Sequence, residues 1–231
     1  MTAERQEKFP LLPVITAIFV TILVLTPSAS SKFIAIGPFV IVGSTLFFPI
    51  SYIFNDILTE VYGYERSRRI IWIGLACQLF TAAMYALIQY WPAASFWQNQ
   101  AAYDIILGQA PRIVLASLTA YFLGEIVNSL IVSKMKYRSR GRGGAAMAGR
   151  FVASTAVGEL IDSAVFMFVA FYGVLETSDL ISTVLTIWIL KTVYEIAALP
   201  LSMRIVAWVK RREGIDKIDH PNSTSYSPFK I

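Results

Sequence analysis

Six stretches of this chain are long and apolar enough to cross a lipid bilayer: residues 11–28, 45–62, 70–90, 113–133, 151–172 and 180–209. About 20 mostly apolar residues in a helix cover roughly 30 Å of hydrocarbon, where the backbone has no water to bond and must satisfy itself. Of the 231 residues, 56% are hydrophobic and only 15% charged, against about 25% charged in soluble domains. The expected fold class is therefore an all-α integral membrane protein, a bundle of six transmembrane helices forming one domain over 1–213, with a flexible cytoplasmic tail over 214–231. The Gly37-Pro38 and Gly43-Ser44 interruptions predict a broken or hairpin segment between the first two helices. The first run is followed by Pro-Ser-Ala-Ser and further spans without a small-residue cleavage site, so it reads as a retained helix.

Basic residues set the expected orientation, because Lys and Arg in short loops stay in the cytoplasm. Arg66, Arg68 and Arg69 follow the second run, Lys134 to Arg150 carry the connection between the fourth and fifth, and Lys210, Arg211, Arg212 and Lys217 follow the sixth. The connections around Lys32, over 91–110 and over 173–179 carry almost none. Both termini are expected on the cytoplasmic side. The net charge of +5 is thus read as topology rather than nucleic-acid binding, since no aromatic platform interleaves the basic clusters. Trp97 and Tyr103 place the 91–110 connection along the outer interface.

Against this apolar background the ionisable residues stand out. The hexapeptides "GEIVNS" (124–129) and "GELIDS" (158–163) are nearly the same, and each sits mid-run. Glu125 with Asn128, Glu159 with Asp162, Lys191 with Glu195, and Asp56 with Glu60 are each spaced by three or four, which puts each pair on one helix face. A charge at a helix centre costs about 2.5–3.5 kcal/mol on insertion scales, so these faces are expected to meet around one cavity. One lysine does not neutralise Asp56, Glu60, Glu125, Glu159, Asp162 and Glu195 together. The plain alternative is that such groups only hydrogen-bond neighbouring helices, with Gly124 and Gly158 serving close packing. Because the fourth and fifth runs are antiparallel, the paired hexapeptides also fit an inverted repeat meeting near the midplane.

The runs contain no histidine, no H-E-x-x-H, no G-x-S-x-G and no P-loop, so an enzyme is not expected. No Cys/His spacing suggests a metal, and no cofactor is expected; Cys77 is alone and His220 lies in the polar tail. A carboxylate-lined cavity with Tyr52, Phe54, Tyr121, Phe166 and Tyr194 nearby suits a flat, nitrogen-rich solute, since acidic side chains accept from adjacent ring N–H and amino groups and aromatic faces stack rings.

At "FNDILTEVYGYERSRR" (54–69) the chain resembles the queuosine precursor transporter family, also called the vitamin uptake transporter or YhhQ-like family. The likeness continues through "SSKFIAIG", "RIVLASLTAYFLGEIVNS", "RFVASTAVGELIDS" and "KTVYEIAALPL". The resemblance implies a six-helix carrier of the bacterial inner membrane that imports the deazaguanines 7-cyano-7-deazaguanine and 7-aminomethyl-7-deazaguanine. It implies substrate-binding roles for Asn55, Asp56, Glu60, Glu125, Asn128, Glu159, Asp162, Lys191 and Glu195, and outer gate contacts for Lys32 and Arg112. Some family members carry amides where this chain has Glu125 and Glu159. A homodimer in the lipid bilayer and transport by alternating access are expected, with proton symport and facilitated diffusion both open. The rival readings are a substrate-binding membrane subunit of an energy-coupling-factor-type vitamin or purine importer, and a non-transporting scaffold.

Overall fold

The computed structural model describes residues 9–36, 39–46, 48–108 and 111–230. In chain order the elements are α1 (Leu11–Ala29), strands β1 (Phe33–Ile36) and β2 (Phe39–Val42), a 3-10 turn (Gly43–Leu46), and helices α2 (Phe48–Tyr62), α3 (Tyr64–Tyr90), α4 (Gln100–Leu107), α5 (Pro111–Arg138), α6 (Ala145–Phe171) and α7 (Thr177–Glu213). The protein is helical, and among the described residues five helical stretches are long and apolar enough to cross a membrane: α1, α3, the stretch Gln100–Arg138 that contains α4 and α5, α6, and α7. Their exposed large apolar residues, such as Leu79 and Phe80 on α3 and Ile189 and Val193 on α7, suit contact with lipid.

The second expected span differs from the others. Instead of a helix over 45–62, α2 has 15 residues, about 22 Å at 1.5 Å per residue, and the residues before it form the turn and an antiparallel hairpin in which Ile34 faces Ile41. The expected hairpin segment is thus a β-hairpin whose Gly37-Pro38 tip lies outside the described residues. A short helix suffices because α2 does not face lipid. From Ser51 to Tyr62 all its residues but Phe54 are buried, with Leu58 and Val61 fully covered. Helices α1, α3, α5 and α7 pack around it, and Phe19, Ile57, Ile71, Val132 and Val206 belong to the main apolar core. Pro49 falls in the first turn of α2, where a missing N–H costs no helical bond. Pro200 lies inside an unbroken α7.

One end of the bundle gathers the corner between α2 and α3, the loop between α5 and α6, and the end of α7. The start of α1 meets that end too: the Leu11 N–H donates to Glu213 Oε1 at 2.7 Å, and Tyr62 Oη donates to the same oxygen at 2.9 Å. This end carries most of the basic loop residues and is called the basic end here. The β-hairpin, α4 and the connection between α6 and α7 lie opposite. At the basic end Gly214 ends α7 in the left-handed conformation (φ 65°), its N–H bonded to the Lys210 carbonyl at 2.9 Å.

Residues 214–230 differ from the free tail that their composition suggests. The Lys217 N–H donates to the Val61 carbonyl at 3.1 Å, and Asp219, 3% exposed, accepts from the Tyr64 N–H (2.8 Å) and Ser133 Oγ (2.6 Å). Arg68 Nη1 donates to the carbonyls of Ser225 and Ser227 at 2.6 and 2.7 Å, and Trp72 Nε1 to that of Pro228 at 2.8 Å. The segment is docked on the bundle.

Candidate functional site

Helices α5 and α6 form the most extensive helix pair in the molecule, and the two hexapeptides are where they touch. A Cβ at Gly124 would lie 3.1 Å from the Gly158 carbonyl oxygen and 3.0 Å from Asp162 Cβ; a Cβ at Gly158 would lie 3.0 Å from the Gly124 carbonyl oxygen and 3.1 Å from Asn128 Cβ. The contacts are reciprocal: each glycine meets the other's carbonyl and the residue four positions beyond the other. This is a local two-fold between antiparallel helices, and it explains the repeated letters. Any side chain at these glycines would push the helices apart, so the small residues bring the carboxylates one position later into the same space. Tyr52 of α2 lies against this contact, with its Oη 2.9 Å from the Gly124 Cβ position.

The equivalent positions are filled differently. On α6, Glu159 and Asp162 are bridged by Lys191 of α7, whose Nζ lies 2.7 Å from Glu159 Oε2 and 2.8 Å from Asp162 Oδ2. On α5, Asn128 donates to Asp56 Oδ1 at 2.8 Å, while both carboxylate oxygens of Glu125 accept no hydrogen bond among the described residues. The same holds for both oxygens of Glu195, for Asp56 Oδ2 and for Asn128 Oδ1. Glu125 and Glu195 are each 1% exposed, Asp56 and Asn128 fully buried. A buried acceptor without a donor costs about 1–3 kcal/mol, and more when charged. An occluded set of acceptors is thus held by α2, α5, α6 and α7, with Lys191 as the cation that pairs within it.

Two predicted residues lie elsewhere in function. Asn55 is tied into the helix packing: its Nδ2 donates to the Glu125 carbonyl at 3.1 Å, and its Oδ1 accepts from Ser67 (2.8 Å) and Ser129 (2.9 Å), linking α2, α3 and α5. Glu60, one turn beyond Asp56 toward the basic end, is saturated. Arg150 holds it bidentately, Nη2 to Oε1 at 2.6 Å and Nε to Oε2 at 2.7 Å, and Lys210 donates to Oε1 at 2.6 Å. Lys136, also buried, donates to the Glu60 carbonyl and to Asp216, and lies 3.7 Å from Glu60 Oε1. Lys210 and Asp216 are 2.8 Å apart. Glu60 is the centre of a closed ion cluster rather than an open acceptor.

The two outer residues are not part of the acidic set. Arg112, at the start of α5, donates to the carbonyls of Val169 and Tyr172 at 2.6 Å each and ties α5 to the end of α6. Lys32 is exposed beside the hairpin, its carbonyl accepting from the Gly43 N–H at 2.8 Å. A cavity of about 360 Å³ lies between α1, α3, α4 and α5, lined by Gln78, Thr81, Gln89, Leu115 and Ser117 among others, with none of the predicted residues in its wall.

Sequence reasoning placed Arg150, Lys136 and Lys210 among the topology charges and passed over Asp216 and Asp219. The one signal for Arg150 was its place at the end of the connection between the fourth and fifth apolar runs, directly before the fifth. Nothing local marked Asp219.

Residues 42–205 match the protein family described as "Putative vitamin uptake transporter". The chain belongs to this vitamin uptake transporter family. It is also 28% identical over 147 residues to a protein of Bacillus subtilis (strain 168) described as "Probable queuosine precursor transporter", a match covering 63% of each chain, so the similarity spans less than two thirds of that relative's length. No solved structure matches the chain. All the predicted binding residues except Lys32 fall within the stretch matched by the vitamin uptake transporter family, whereas the docked segment 214–230 falls outside it. The multi-pass helical architecture suits a family of membrane transporters of small molecules.

Proposed function

We propose that this member of the family is a carrier that imports queuosine precursors, the deazaguanines 7-cyano-7-deazaguanine and 7-aminomethyl-7-deazaguanine, across the bacterial inner membrane. The observation that carries the reading is the set of buried carboxylate oxygens that accept from no donor among the described residues, both of Glu125, both of Glu195 and Oδ2 of Asp56. A guanine-like edge presents a ring N–H beside an exocyclic amino group, and a carboxylate meets that donor pair with both oxygens. Glu125 is the group proposed to read it, with Tyr52 against the ring and Lys191 holding Glu159 and Asp162 in place. Binding supplies the donors that the empty acceptors lack, so the solute is bound where water is excluded. Because the set is covered on all sides, entry and exit require the helices to part first on one side and then on the other, which is alternating access. The basic end is proposed to face the cytoplasm, and two chains to associate as a homodimer, which the mass of the detergent-solubilised protein tests.

The decisive experiment expresses the chain in bacteria unable to make or import the precursor, supplies 7-cyano-7-deazaguanine, and measures queuosine in tRNA. The native chain is expected to restore queuosine and an equally expressed Glu125→Gln variant to lose it. Absence of queuosine with the native chain in the membrane overturns the reading; restoration by both keeps the carrier and removes Glu125 from solute recognition.

A further inference from the structure

The docked segment 214–230 covers the end of α2, the helix that carries Asp56 of the acidic set. Along α2 toward that end come Asp56, then Thr59 and its hydroxyl partner Ser129 (3.0 Å), then the Glu60 cluster, then the corner at Gly63. Gly63 has φ 86°, and a Cβ there would lie 2.8 Å from both Asp219 Oδ1 and Lys217 Cγ, so the segment passes directly over the corner. There Asp219 bridges two helices, accepting from the Tyr64 N–H of α3 and the Ser133 hydroxyl of α5. The Lys136 ammonium of α5 likewise reaches the Lys217 carbonyl at 2.7 Å as well as Asp216 and the Glu60 carbonyl. The segment therefore joins the ends of α2, α3, α5 and α7, of which α2, α5 and α7 also hold the acidic set.

The kind of attachment matters as much as its place. Most of the anchors are polar, and several are backbone carbonyls held by Arg68, Trp72 and Lys136. Water can replace such partners when the segment lifts, so the net stabilisation from each is modest although together they hold it in register. The apolar contributions are Ile215, Ile218 beside Gly141, and the rings of Tyr226 on Tyr64 and of Phe229 beside Trp72 and Phe122.

We propose that residues 214–230 form a latch that holds the basic end of the bundle shut, and that its release opens the path to the acidic set. The latch serves the closure of a carrier and so rests on the proposed transport function. Its test uses no solute, so a failed uptake experiment and a failed latch are told apart.

The test uses the full chain in lipid nanodiscs, with Cys77→Ser removing the native thiol and Thr59→Cys placing one thiol beneath the latch, at a site that is 1% exposed. A polar maleimide is expected to label it slowly. Asp219→Asn together with Arg68→Gln removes two anchors and is expected to speed amide hydrogen exchange of residues 217–227 by about tenfold or more, the loss of a charged hydrogen bond. Labelling is expected to rise with it by about fivefold or more, because the opening that exposes the thiol becomes more populated. A freed segment with unchanged labelling overturns the latch and leaves a passive covering. A segment that stays protected after both substitutions overturns the anchoring. If the double variant is not monodisperse, Ser133→Ala, which deletes one donor to Asp219, is read by the same two outcomes.

Discussion

Glu60 and Glu125 are both buried glutamates on helices facing the interior of one bundle, 0% and 1% exposed, yet their surroundings are opposite. Glu60 has a bidentate arginine and a lysine on it; Glu125 has no donor on either oxygen among the described residues. Both are equally costly to take out of water, and only one is compensated within the chain. Burial therefore does not separate a structural charge from a binding one. Saturation does. The saturated cluster sits where helix ends are held together, and the unsaturated set sits where the solute is proposed to be received.

The largest expected effect tests the saturated side. Arg150→Ala leaves Glu60 buried with its principal partner gone and is expected to cost about 3–5 kcal/mol of stability, seen as a large fall in the melting temperature of the detergent-solubilised chain without any solute. A loss below about 1 kcal/mol, the worth of an exposed pair, would erase the contrast.

Next comes the join between the helices. Gly158→Ala forces a methyl to 3.0 Å from the Gly124 carbonyl oxygen, and overpacking of this kind costs about 1–3 kcal/mol. Gly124→Ala is expected to cost at least as much, because the helix contact is reciprocal and its Cβ would also meet Tyr52 Oη at 2.9 Å. A neutral Gly124→Ala beside a costly Gly158→Ala, measured side by side by thermal unfolding, would mean that the two-fold is a coincidence of the letters.

Glu125→Gln tests the unsaturated side and is expected to do the reverse of Arg150→Ala. Stability should hold or rise by up to about 1 kcal/mol, since a buried carboxyl with no donor among the described residues is replaced by an amide, while uptake falls about tenfold or more. A strong fall in stability would place Glu125 with Glu60.

The smallest effect concerns Asp216, outside the helices. Burial alone would raise its pKa, but hydrogen bonds from Lys136 and Lys210 outweigh it and hold the carboxyl below its ordinary value. A depressed carboxylate stabilises fully above its unfolded pKa, about 3.9, and that contribution is lost as the pH falls through the lower folded value. Asp216→Asn should remove this part of the acid dependence of hydrogen exchange in the docked segment, by no more than the 0–1 kcal/mol of a half-exposed pair. An unchanged acid profile would detach Asp216 from the cluster.

Much of this was legible from the residues and some was not. Five long helices and the pairs Glu125/Asn128 and Glu159/Asp162 follow from length, hydropathy and the cost of charge in hydrocarbon. The likeness of 54–69 to the queuosine precursor transporter family agrees with the family match. Asp56 and Glu60, one turn apart on the same face of α2, could not be told apart, because the groups that distinguish them lie far along the chain: Asn128 on α5 for Asp56, and Arg150 and Lys210 for Glu60. The shortness of α2 was hidden too, since a run of apolar letters does not say whether lipid or protein surrounds it.

The docked segment marks the limit most clearly. Pro221, Asn222, Ser223, Ser225 and Pro228 compose a stretch that reads as solvated, and much of its attachment runs through main-chain carbonyls, which every residue possesses. By itself the sequence determined that the chain lives in a membrane, five of the six stretches being long and apolar enough to cross it, and which polar groups need an explanation, because those follow from the free energy of moving each side chain from water to hydrocarbon. Only the tertiary structure decided which of those groups are neutralised and which are left open. Neutralisation is a matter of distances of about 3 Å between residues far apart along the chain, and no local pattern encodes them.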